Sequence, residues 1–264
     1  MRKDPGTKAV PPERHRNKVR GISVGLLLFL LWGCAALRPV EPLTERQISD
    51  VLARMKTAEK DVSSFYSLGT LSVSRGLGRS DEVKFLAVGT RLPRRLKVEI
   101  AHPWGAPIFH ILLEEDRIQA FSYDENTLYK GPATKEALDR FLPGAPDPST
   151  AWDLLRGYPA VSPEGTVLEV KDERFLVSDN SGEPDRWVVI KGADKRDPDE
   201  LVFVETEFRA SFFSHREKQD IPYAYEVKLN LPGKGEVRFR NEKMVLNRPI
   251  PEAVFDLRTP DDCK

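Results

Sequence analysis

Apolar side chains recur at every second position along most of this chain, and that period commits it to strands. Val83, Phe85 and Ala87 alternate with Glu82, Lys84 and Leu86. Leu96, Val98 and Ile100 alternate with Lys97 and Glu99; Phe109, Ile111 and Leu113 alternate with His110 and Leu112. Ile118, Ala120 and Ser122 resume after a Glu115-Asp116 turn. Residues 167–170, 175–178 and 187–191 read the same way. Val202, Val204, Thr206 and Phe208 are expected on one face, with Glu205, Glu207 and Arg209 on the other. Tyr225, Val227 and Leu229 precede a Pro232-Gly233-Lys234-Gly235 turn, and Val237 and Phe239 answer them. About ten such strands joined by short turns predict an antiparallel sheet with one apolar face, curled or closed.

Three helical segments interrupt this pattern. Thr44-Glu45-Arg46-Gln47 matches a capping box, with Gln47 three residues after the hydroxyl. Ile48, Val51, Leu52, Met55, Ala58 and Val62 follow at helical spacing and form one stripe. Residues 134–142 and 149–157 are shorter patches, the second with Ser149 as expected N-cap and Gly157 just past its end. Leu138 and Phe141 in the first, and Trp152 and Leu155 in the second, share an apolar side. These four are the expected lid over the sheet.

The N-terminus carries a separate signal. Arg14 to Arg20 is basic, Gly21 to Leu30 is apolar, and Leu31-Trp32-Gly33-Cys34-Ala35 follows. That order makes a secretory signal. The uncharged run from Gly21 to Gly33 spans roughly 20 Å as helix, short of the ~30 Å hydrocarbon core. Leucine, glycine and cysteine at this spacing resemble the lipobox of bacterial lipoproteins. The resemblance implies that residues 1–33 are a removable leader and that Cys34 becomes the lipidated first residue. Residues 34–43, with Pro39 and Pro42, then read as a tether. Ala35 after the cysteine implies delivery to the outer membrane, facing the periplasm.

Charge and cysteine content narrow the function. Lys and Arg number 41 against 41 Asp and Glu, so no basic footprint for nucleic acid exists. Cys263 is the one cysteine besides Cys34, which excludes a disulfide framework. His102 and His110 flank one loop but lack a carboxylate at ligand spacing, so neither a metal nor a cofactor is expected. Glu114-Glu115-Asp116 could pass for paired catalytic acids, yet its place between alternating strands makes it a turn. Asp197-Pro198-Asp199-Glu200 reads as a solvated loop. The absence of a nucleophile, acid and base set points to a binder rather than an enzyme.

The order of elements resembles the LolA/LolB-like family, closest to its outer-membrane lipoprotein receptors. Three segments carry the likeness: Ala101-His102-Pro103-Trp104-Gly105-Ala106-Pro107 between two strands, Asp124-Glu125-Asn126-Thr127-Leu128-Tyr129, and Ala151-Trp152-Asp153-Leu154-Leu155-Arg156-Gly157-Tyr158-Pro159. The resemblance implies a mainly β (α+β) fold over residues 44–264. In it a curled antiparallel sheet forms an incomplete β-barrel, covered by an N-terminal helix and two short mid-chain helices. It implies a hydrophobic cavity for acyl chains, a LolA-like periplasmic carrier as partner, and a membrane-facing role for Trp104, which stands where the family's loop carries leucine. The inner faces expected to line the cavity are Val83, Phe85, Leu96, Val98, Ile100, Phe109, Ile111, Leu113, Val202, Val204, Val227 and Val237. The alternative is an assembly lipoprotein using the same fold as a scaffold, its interior filled by aromatics such as Phe85, Phe109, Phe175, Trp187, Phe208 and Phe239. A second alternative is an envelope hydrolase, which polar groups on the cavity floor would favour.

Overall fold

Thr44 starts the first helix of the described residues by the capping box its sequence foretells. Its hydroxyl accepts from the Gln47 amide at 3.3 Å, and its own amide donates to Gln47 Oε1 at 2.9 Å. Helix α1 (Glu45–Asp61) buries Ile48, Val51, Met55 and Ala58 along one side. The computed structural model describes residues 42–257 except 75–79, 143–146, 160, 162–163, 180, 192–195, 205–207 and 234. Cys34, Cys263, the leader and most of the tether lie outside the described residues. At the tether's end, Leu43 is buried and its amide donates to the Asp172 carbonyl at 3.1 Å.

Among the described residues, thirteen antiparallel strands form one sheet in the order β6-β5-β4-β3-β2-β1-β13-β12-β11-β10-β9-β8-β7. The first group is β1 (Ser64–Ser74), β2 (Ser80–Thr90), β3 (Arg95–Ala101), β4 (Pro107–Glu114), β5 (Arg117–Ser122) and β6 (Thr127–Pro132). Helices α2 (Lys135–Phe141) and α3 (Pro148–Arg156) follow. The second group is β7 (Val167–Lys171), β8 (Arg174–Ser178), β9 (Pro184–Val189), β10 (Glu200–Phe203), β11 (Arg209–Lys218), β12 (Ile221–Leu231) and β13 (Gly235–Leu246). Each group is a meander of neighbours, and the β1–β13 pairing joins the first to the second. The edges β6 and β7 do not pair with each other, so the sheet is open, neither closed into a barrel nor strongly curled as the sequence suggests.

The main core joins the three helices to one face of the sheet. Two sequence expectations change there. In β10 the inward residues are Leu201 and Phe203, whereas Val202 is half-buried and Val204 exposed. Every residue of that stretch is apolar, so the alternation offers no preference between the two phases. The N-cap of α3 is Asp147, not Ser149: its carboxylate accepts from the Ser149 and Thr150 amides at 2.8 and 2.9 Å, and Pro148 takes the first helical turn.

The opposite face of β1–β4 is covered as well, a feature absent from the sequence reading. The chain after β13 turns back through a short 3₁₀ segment (Glu252–Phe255) and lays Phe255 on Val88 and Leu112. Arg95 fastens this strap: its guanidinium pairs with Glu252 and stands 4.3 Å from the Phe255 ring centroid. That second cover explains why Leu112, set between Ile111 and Leu113, is apolar too.

Candidate lipid-binding cavity

The strand register sorts the inner face into rows. Phe65, Gly89, Leu96, Leu113 and Ile118 stand opposite one another across β1–β5. The next rows are Ser67, Ala87, Val98, Ile111 and Ala120, then Gly69, Phe85, Ile100 and Phe109. Leu71 then pairs with both Val83 and Phe239, and Val73 with Asp81 and Val237.

The first row is filled. Trp152 of α3 meets Phe65 edge to face at 5.1 Å, directly over Gly89. From the second row only Val98 borders open space, and the rows after it are hollow. A cavity of about 770 Å³ lies between them and the helices. Of the residues expected to line it, Val83, Phe85, Val98, Ile100, Phe109 and Val237 do so, with Phe141 and Leu155 as roof. Leu96, Ile111, Leu113, Val227, Leu138 and Trp152 belong to the packed core instead. Val202 and Val204 are not among the lining. Leu142, beside Phe141 on the apolar side of its helix, also lines the cavity, as do Leu71, Val73, Ile108, Leu154 and Leu229, which are not among the residues expected there. For Leu71 and Val73 the signal is the alternation of β1, which sets them on one side with Phe65, Ser67 and Gly69.

The mouth lies at the β3–β4 turn. His102 donates its amide to the Ala106 carbonyl and accepts from the Gly105 amide, both at 2.8 Å. Gly105 sits at φ +97°, a conformation that favours glycine. This tight loop holds Trp104 76 % exposed, its indole stacked on the His102 ring at 4.3 Å. Asp81, Glu82, Asp124 and Arg140 complete the rim, with Arg140 over the Phe141 ring at 5.2 Å.

The two lid helices are anchored unequally. Arg156, buried at the end of α3, donates to the Ala58 carbonyl of α1 at 2.7 Å and to Tyr158 at 2.9 Å. Burial lowers the pKa of its guanidinium, and Asp153, 3.7 Å away, opposes that shift. The Gly157 carbonyl accepts from the Ala224 amide, tying α3 to β12. Gly157 has φ +78° and its Cβ position would fall 2.9 Å from Asn241 Nδ2 and from the Ala224 oxygen, so only glycine fits. By contrast, α2 buries only Ala137 and Leu138.

The remaining polar candidates lie elsewhere. His110 stands on the other face of the sheet from Phe109 and Ile111; its Nδ1 is 3.1 Å from the Tyr123 hydroxyl, and burial pushes its pKa below the usual histidine value. His102 and His110 therefore share no site. Glu115 sits in the β4–β5 turn at φ 52°. Asp197 is no free loop residue: it accepts from Arg54 at 3.1 Å and from the Tyr158 hydroxyl at 2.9 Å. Burial raises Asp199 above the usual carboxylate value, against the pull of the Lys191 amide.

No protein-family model matches the sequence, and no curated protein matches it. Solved structures match its fold. A DUF1329 family protein from Desulfovibrio piger superposes with a TM-score of 0.55 at 10 % identity, over 82 % of this chain and 98 % of the other. A LolA superfamily protein from Nitrosomonas europaea gives 0.53 at 11 %, over 78 % and 97 %. A putative outer membrane lipoprotein-sorting protein domain from Vibrio parahaemolyticus gives 0.51 at 11 %, over 80 % and 95 %. Among the described residues, an open antiparallel sheet with three helices on one face, together with these structural neighbours, identifies the LolA/LolB-like fold.

Proposed function

We propose that this chain is a lipid-anchored envelope protein that binds acyl chains and hands lipoproteins to the outer membrane. The observation that carries the reading is the apolar cavity of about 770 Å³ opening beside an exposed tryptophan. Its walls are aliphatic and aromatic, and its charged groups stand at the rim, the arrangement an amphiphile needs. An indole prefers the membrane interface because its body is apolar and its N–H polar. The structural neighbours include a LolA superfamily protein and a lipoprotein-sorting domain, which agree with this reading.

The mechanism is passive. A chain enters between Trp104 and Phe141, with α2 rather than the tied-down α3 as the element that gives way. A methylene gains about 0.8 kcal/mol on leaving water, whether it enters protein or bilayer. The exchange is therefore nearly balanced, and release needs no catalyst. Lipidation at Cys34 would keep the protein at the membrane that receives the cargo, and a LolA-like carrier would supply it.

The test is transfer. Full-chain protein loaded with a fluorescent diacylated lipopeptide is mixed with phospholipid vesicles, and transfer is followed by energy transfer to a membrane dye. Loading followed by release to vesicles is expected. Failure to load overturns the reading. A scaffold without cargo is the second reading; it is favoured by Phe175, Phe203, Phe208 and Phe212, which fill the inner face of β8–β11.

A further inference from the structure

We infer that the cavity holds one acyl chain at a time, and that Phe85 and Phe239 set how deep that chain goes. This rests on the acyl-binding reading and adds the size of the ligand. The volume is the first argument. A methylene fills about the space of a water in the liquid, roughly 30 Å³. The 770 Å³ available therefore hold about 25 such groups at that packing. One membrane-length chain of about 16 to 18 carbons fits, whereas two need about 32 to 36 and exceed the space.

The walls are the second argument: among the described residues, those on two sides of the cavity are filled. Towards the first row, Phe65 and Trp152 are in contact. Towards β8–β11, Phe175 and Phe212 are fully buried in the core. Between these filled regions, Phe85 and Phe239 meet edge to face at 5.7 Å, with ring planes at 83°. The Phe85 ring lies across Gly69, 3.1 Å from where a Cβ would stand. Behind the pair, Gly69 is flanked on β13 by Asn241. Asn241 accepts from the Ser67 hydroxyl at 2.7 Å and donates to the Ala224 carbonyl at 2.9 Å, all of it buried. A chain driven past the two rings would separate these hydrogen bonds and replace them with methylenes, which satisfy neither partner. The rings are thus a floor with a polar layer behind them. Phe239 is the more accessible of the two, half-buried where Phe85 is buried.

A ligand with two or three chains would leave all but one at the mouth beside Trp104. That predicts a stoichiometry and a length preference. Native mass spectrometry of the full-chain protein with saturated fatty acids from decanoate to eicosanoate reads both. One fatty acid per protein is expected at saturation. Affinity should rise with length to an optimum and then fall by about tenfold for a methylene that no longer fits. Phe239→Ala should move the optimum to longer chains, and Leu229→Phe, nearer the mouth, to shorter ones. Phe239→Leu, a milder change, should move it in the same direction as Phe239→Ala and guards against loss of the fold. Two palmitates bound per protein would overturn the inference while leaving the acyl-binding reading intact. So would an unchanged optimum in Phe239→Leu. Failure of every chain length to bind would overturn both.

Discussion

Trp152 and Phe65 meet edge to face at 5.1 Å and 81° across the bare backbone of Gly89. A Cβ at Gly89 would stand 2.4 Å from Phe65 Cε1 and 2.6 Å from Trp152 Nε1. Both rings are rigid and walled in, so Gly89→Ala should destabilise the protein by about 1–3 kcal/mol through overpacking. Urea unfolding is the measure, with a lower midpoint at unchanged slope as the expected result. A neutral substitution would mean that α3 does not seat Trp152 over β2.

Val98 and Val202 separate the two faces. Val98 is 2 % exposed and lines the cavity, whereas Val202 is half-buried on the far side of β10. Val98→Asp should unfold the chain or cost at least about 3 kcal/mol, because it buries an unpaired carboxylate. Val202→Asp should cost less than about 1 kcal/mol. Circular dichroism and urea midpoints of the two variants decide the matter, since an equal loss in both would contradict the phase of β10.

Asp147 should make the N-terminus of α3 acid-sensitive. Burial alone would raise its pKa, but hydrogen bonds from Ser149 and Thr150 outweigh that and hold the carboxyl below its usual value. A depressed folded pKa means the cap is at full strength above the ordinary carboxylate value of about 4 and weakens as pH falls through the lower folded value. Asp147→Ala should cost about 1 kcal/mol at neutral pH. The gap between variant and wild type should narrow in acid. A gap that stays constant with pH would show that the carboxylate is not the cap.

Phe255 holds the outer strap. Phe255→Ala would uncover Val88 and Leu112 and should cost about 3 kcal/mol. Hydrogen exchange should then accelerate in β2 and β4 before it does in β11 and β12. Uniform acceleration across the sheet would mean the strap is not an independent layer.

Trp104 should matter for membranes and not for stability. It is 76 % exposed and contacts His102, so Trp104→Glu should change stability by no more than about 0.5 kcal/mol. In vesicles with brominated acyl chains, wild-type tryptophan fluorescence should be partly quenched. That component should disappear in Trp104→Glu. Equal quenching in both proteins would remove the loop from the membrane contact.

Local chemistry made the strands, the first helix and the loop at Trp104 readable from sequence. Alternation between unlike residues, as at Lys97-Val98-Glu99, names a face without reference to anything distant. Thr44 and Gln47 cap a helix by contacts three residues apart. A turn held by His102, Gly105 and Ala106 likewise closes within itself. Tertiary structure decided the rest. Ile111-Leu112-Leu113 and Leu201-Val202-Phe203 are apolar on both phases, so their inward set was settled by pairing with neighbouring strands and by what covers each face. The same holds for the division of the inner face into hollow and filled parts. Phe85 lines a cavity, Phe175 fills a core, and both stand in equally apolar alternating strands. What separates them is the packing of the helices and strands around each ring, contacts between residues far apart in the chain that a period of two does not encode.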